Sequence, residues 1–263
     1  MGKTKYIPGI FNYCDRWCER CAFTLRCRTY AMESKMRRSM DEGEDEEEKR
    51  PPDDESNAAF WEELDESYGK SEEALHDLVH DINFEFTQEE LDEAGREHEL
   101  QEERAQEVGG AVTQSAGSYA WKLREFFESN PGLDDVEALA LQSSPGSAAN
   151  SAQKGHAVRL WDALEIILWH SHFIEVKLHR AYYSLVSDLD MPEDMPSDAD
   201  GTAKVVLIAL DRCIAAWSVV QELMPEHAAP ALDFMLRLAR LRHRVEEDFP
   251  RARAFVRPGF DEE

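Results

Sequence analysis

The chain nearly lacks cysteine outside one stretch: four of five lie between residues 14 and 27, and only Cys213 follows. It is poor in bases, with 29 Lys/Arg against 55 Asp/Glu and a net charge of −26. Phosphate backbones and anionic bilayers are bound through Lys and Arg, so nucleic acid and membrane surfaces are not expected partners. No apolar run is long enough to span a bilayer. The most apolar stretch, "VVLIALDRCIAAWSVV" (205–220), is interrupted by Asp211 and Arg212 and reads as a buried helix. No apolar segment follows Met1 in the manner of a secretion signal, so a cytoplasmic, reducing location is expected. No convincing two-residue alternation follows residue 40, which excludes a sheet. Also missing are G-x-G-x-x-G, a complete P-loop, G-x-S-x-G, H-E-x-x-H and an EF-hand.

What is present is helical periodicity and a thiol cluster. The expected fold is all-α: a helical bundle with a small N-terminal Cys-rich metal-binding module. Residues 1–40 form that module, with nine Lys/Arg against three acids. Residues 41–56, "DEGEDEEEKRPPDDES", read as an acidic linker. Residues 57–250 form the bundle, with the small, polar stretch 143–155 as a division into two halves. Within it, separate helices are expected from Ser71, over "GSYAWKLREFFESNPG", and over 156–187, 202–224 and 227–248.

The thiols follow C-x3-C-x2-C-x5-C: Cys14, Cys18, Cys21 and Cys27. In a reducing compartment such a cluster points to metal rather than disulfides. If residues 14–21 are helical, the first three thiols share one stripe, spread over about 10 Å. That spread is too wide for one tetrahedral zinc and suits the larger [4Fe–4S] cluster. In a loop, zinc fits again. The expected centre is therefore a [4Fe–4S] cluster, with zinc as the alternative. It would give a redox, electron-transfer or sensing role toward an unidentified protein partner; with zinc, the segment would be a stabilised interaction module.

Cys14-x3-Cys18-x2-Cys21 resembles the triad of radical-SAM enzymes, whose three thiolates leave one iron open. Arg20 stands where an aromatic usually precedes the triad's last cysteine, Cys27 is placed to close the open iron, and no βα repeats follow. Cys18-x2-Cys21-x5-Cys27 is similar to the closing cysteines of cluster-bearing RecB-type nucleases and radical-SAM auxiliary domains, which implies a four-cysteine [4Fe–4S] site. The nuclease's acidic strand motif is not visible. The wider "YCDRWCERCAFTLRC" resembles the opening of a group of uncharacterised bacterial proteins and implies no function of its own.

A second site is suggested by a polar stripe. Glu165, His172 and His179 recur every seven residues among Trp161, Trp169, Val176 and Tyr183, and so line up if turned inward. Glu73-x2-His76 and His76-x3-His80 offer the Glu-x-x-His pair of di-iron bundles. Together these six are the candidates for a second iron or manganese, which would make the chain a metal-dependent oxidoreductase. The competing readings are internal ion pairs, a solvated face, or an organic pocket walled by Trp161, Trp169 and Tyr183.

Overall fold

The computed structural model describes residues 6–47, 87–131, 133, 151–187 and 197–261. Five α-helices and four short 3-10 turns occur among them, with no strand. The helices are α1 (Arg28–Glu47), α2 (Gln88–Ser129), α3 (Ser151–Ser187), α4 (Asp198–Leu223) and α5 (Ala228–Asp248). The all-α class is as expected. No helix among the described residues is long and apolar enough to cross a membrane.

The chain divides into two compact units, Met1–Arg28 with Leu100–Glu263, and Thr29–Glu99. In the second unit the start of α2 carries a reciprocal cap. Thr87 Oγ1 accepts from the Glu90 N–H at 3.2 Å, while Glu90 Oε2 accepts from the Thr87 N–H at 2.7 Å.

The first unit is built around α4, whose Val206, Leu207, Leu210, Cys213, Trp217 and Val220 are shut from solvent. From α3, Leu164, Ile167, Ile174 and Leu178 meet it, the burial of each side chain contributing about 1.5–3 kcal/mol. From α5 come Phe234, Leu238 and Val245, and from α2 come Tyr119 and Leu123. Trp217 stacks on Phe234 at 4.5 Å, and its Nε1–H donates to the Tyr119 hydroxyl at 3.3 Å. Cys213 is a core thiol, pushed up to about 12 by burial.

Several helix boundaries differ from expectation. α2 runs unbroken through Gly109, Gly110 and Gly117, where separate helices were expected. The glycines serve packing: a Cβ on Gly109 would overlap the Tyr182 ring, and one on Gly117 would lie 2.6 Å from Glu175 Oε1. α3 begins at Ser151, inside the stretch read as a division. α4 begins at Asp198, because Ser197 caps it by accepting from the Asp200 N–H at 3.1 Å. α1 extends to Glu47, so the first residues of the acidic run are helical.

Candidate metal centre

The cysteine segment is not a helix. Residues 6–27 are a chain of turns, with Arg16 at φ 59° and 3-10 turns at Cys18–Arg20 and Thr24–Arg26. A left-handed residue between Cys14 and Cys18 is incompatible with the helix from which the 10 Å thiol spread was argued. The two 3-10 turns are a local repeat. Trp17-x-x-Arg20-Cys21 and Phe23-x-x-Arg26-Cys27 each start on an aromatic, end on arginine, and place a cysteine in extended backbone immediately after. The Cys21 N–H returns to the Cys18 carbonyl and the Cys27 N–H to the Thr24 carbonyl, both at 3.2 Å.

The four cysteines are half-buried, and none is in a disulfide. Cys14 Sγ donates to the Phe11 carbonyl at 3.5 Å, and Cys21 Sγ accepts from the Phe23 N–H at 3.4 Å. Burial raises the Cys14 thiol pKa, opposed by its bond to the Arg16 backbone and by the charges of Arg16 and Lys177. Lys177 is lowered, first by its own burial. In kind, the donors suit a thiolate-held metal: four soft ligands in one short loop, backbone N–H groups near sulfur, and cations nearby. In placement they fall short, for among the described residues no three or more His, Cys, Asp or Glu converge to hold a metal ion.

The loop is docked on the bundle of the same unit. Trp17, buried, stacks on Trp169 at 5.2 Å, and Trp169 Nε1–H donates to the Asp15 carbonyl at 3.0 Å. The Arg20 guanidinium lies 4.8 Å from the Trp17 ring and 5.1 Å from that of Trp161. It also pairs with Asp162 at 2.7 Å and with Glu165. Asp15 pairs with Arg212 of α4. Tyr13 meets Phe255 at 4.7 Å and Phe23 meets Phe260 at 5.0 Å, so the C-terminal segment walls the loop's other side.

The carboxylate–histidine stripe is not turned inward. Glu165 is taken by Arg20, His172 Nδ1 sits 3.2 Å from Glu175, and His179 Nε2 sits 3.2 Å from Glu102. The His172 and His179 side chains are 76% and 54% exposed. Each therefore has its own partner, and the three do not fit a shared iron or manganese. Glu73, His76 and His80 lie outside the described residues.

Two parts of this region escaped the sequence reading. His170 is fully buried beneath Trp17, at 5.9 Å between ring centres. Its Nδ1 bonds the Ile166 carbonyl at 2.8 Å, while its Nε2 has no partner among the described residues. The available signal was its place between Ile167 and Ile174 on the buried stripe of α3. The other part is the C-terminal "FPRARAFVRPGF", whose aromatics and arginines follow the last helix of a very acidic chain. No protein-family model, curated protein or solved structure matches the chain.

Proposed function

We propose that the loop holds a [4Fe–4S] cluster through Cys14, Cys18, Cys21 and Cys27, making this an iron–sulfur protein with an electron-transfer or sensing role in the cytoplasm. The observation that carries the reading is four half-buried cysteines within one turn-built loop that the bundle holds in place. The spacing resemblance to four-cysteine cluster sites supports the same identity. Such a cluster stores and releases one electron, at a potential set by hydrogen bonds to sulfur and by nearby charge. The Phe23 N–H bond to Cys21 and the charge of Lys177 near Cys14 supply both influences.

Zinc is the second reading, and a specific observation favours it. The Cys18–Cys21 pair encloses a single 3-10 turn, so the wide thiol spread of a helix no longer argues against a small ion. A visible spectrum of anaerobically purified protein separates the two. Broad absorbance near about 400 nm that bleaches with dithionite supports the cluster. Colourless protein carrying stoichiometric zinc sinks it in favour of zinc. Protein with neither metal, after both have been offered during expression, removes the metal reading.

A further inference from the structure

A groove of about 670 Å³ runs between α2 and α5, on residues the metal reading does not use. Its size falls within the range of about 300–1,000 Å³ common for small-ligand sites. Val108, Ala111 and Val112 of α2 and Leu241 of α5 make an apolar wall. Arg237, Arg240 and Arg244 make the other wall. They stand at i, i+3 and i+7, which places three guanidinium groups on one face over about 10 Å of helix. The remaining lining is Gln114, Ser115 and Ser118. No acid among the described residues lines this groove, on a chain with 55 acidic against 29 basic residues. Arg237 and Arg244 are steadied by Asp233 at 2.7 Å and Asp248 at 3.0 Å on their own helix. Arg240 is exposed and has no carboxylate partner among the described residues.

We infer that this groove binds a small organic anion with an apolar body, its oxyanion head on Arg240 and its body against Val108, Val112 and Leu241. A guanidinium fork pairs equally with carboxylate and phosphate heads, so the shared chemistry is an oxyanion carried on a hydrocarbon. Calorimetric titration of the full chain with octanoate, octyl phosphate, octylamine and inorganic phosphate tests this. At least one of the two octyl anions binds saturably, and which one identifies the head group. Octylamine and inorganic phosphate bind at least about tenfold more weakly, since one lacks the head and the other the body. Arg240→Gln weakens the anion about tenfold, the worth of one charge-assisted contact. Ser115→Trp and Ala111→Trp, at exposed helix positions, fill the groove and abolish binding while the circular dichroism stays that of the parent. The inference falls if neither octyl anion saturates, or if octylamine or inorganic phosphate binds as well as the octyl anions. It also falls if both filled variants, still helical, bind as before.

Discussion

At the scale of single residues, Arg20 joins the cysteine loop to the bundle. It lies in the local sequence Cys18-Glu19-Arg20-Cys21, so its position and that of two candidate ligands are set by the same 3-10 turn. Its side chain is 37% exposed, which screens the pairs with Asp162 and Glu165 and leaves each a modest contribution. The two aromatic faces around it add a similar amount each. Arg20→Ala should therefore cost about 1–2 kcal/mol in urea denaturation, and Arg20→Lys should recover only part, because an ammonium lacks the flat fork. An unchanged midpoint for Arg20→Ala would show that the loop is held elsewhere. His170 gives a second residue-scale expectation. Burial lowers its pKa below the ordinary 6.5, with the Ile166 carbonyl and Asp15 pulling it up and Arg212 pushing it down. The folded state therefore binds this proton less readily than the unfolded chain. Its contribution is fully present above about pH 6.5 and is lost as pH falls below that value toward the lowered one. His170→Leu removes the buried, unpartnered Nε2 and should hold stability within about 1 kcal/mol at neutral pH. It should also lose less stability than the parent between about pH 7 and 5. Equal losses in parent and variant over that window would show that His170 does not titrate with unfolding.

At the scale of elements, α2 shows why some boundaries could be read and others could not. The buried faces of α3 and α4 follow a three-to-four residue period, so Leu164, Ile167, Ile174, Leu178 and the 205–220 helix were legible from local pattern. Gly109-Gly110 and Gly117 resemble helix breaks because glycine is a poor helix former in isolation. Gly109 faces the Tyr182 ring and Gly117 the Glu175 carboxylate, both on α3 and beyond any local reading, while Gly110 faces Gln106 of its own helix. The cysteines stood out in the sequence by type and spacing. Their backbone did not, since turns stabilised by Trp169, Phe255 and Phe260 depend on residues far along the chain. The seven-residue spacing of Glu165, His172 and His179 did align them, but on an outer face, while His170 occupies the buried one. A paired substitution tests the glycine argument. Gly95→Ala, with nothing within 4 Å of the new Cβ, should stabilise by about 0.5–1 kcal/mol through propensity alone. Gly109→Ala gains the same propensity yet should be net destabilising by about 1–3 kcal/mol, because the Tyr182 ring must move. Thermal melts giving both variants the same sign would refute the packing role.

At the scale of the whole molecule, the two ends of the described chain meet in one compact unit. Gly9 faces Pro258, and Gly259, at φ 76°, fits against Ile7 and Ile10 where a Cβ would sit 2.9 Å from Ile7. Tyr13 and Phe23 pack on Phe255 and Phe260, and Lys204 of α4 bonds the Phe255 carbonyl and pairs with Asp261 at 2.7 Å. Bases gathered near the end of the chain find acids along α4. Arg251 meets Asp200 at 3.1 Å, and Arg253 meets Asp211 at 2.6 Å. Asp211, although partly buried, is held below the usual carboxylate range by Arg253 and Arg242. Asp261 is held well below it by Arg257, and Lys204 adds to the effect. Lowered carboxylates lend stability above about pH 4 that fades as pH falls further, so this clasp should fail in acid after the His170 window has closed. The clasp also has a consequence for the metal reading. A loop of turns has little stability of its own, and two of the ring contacts it rests on, Tyr13–Phe255 and Phe23–Phe260, come from residues 255–260. Deleting residues 255–263 should leave the helical circular dichroism intact while exposing Ile10, Tyr13 and Phe23. On the proposed metal reading, in which docking of the loop favours metal binding, bound metal per chain should then fall and its release to a chelator should quicken severalfold. Gly259→Ala should act in the same direction more weakly, through strain at its positive φ. Undiminished metal content and unchanged release in the truncated protein would mean that the thiols organise the loop without the tail.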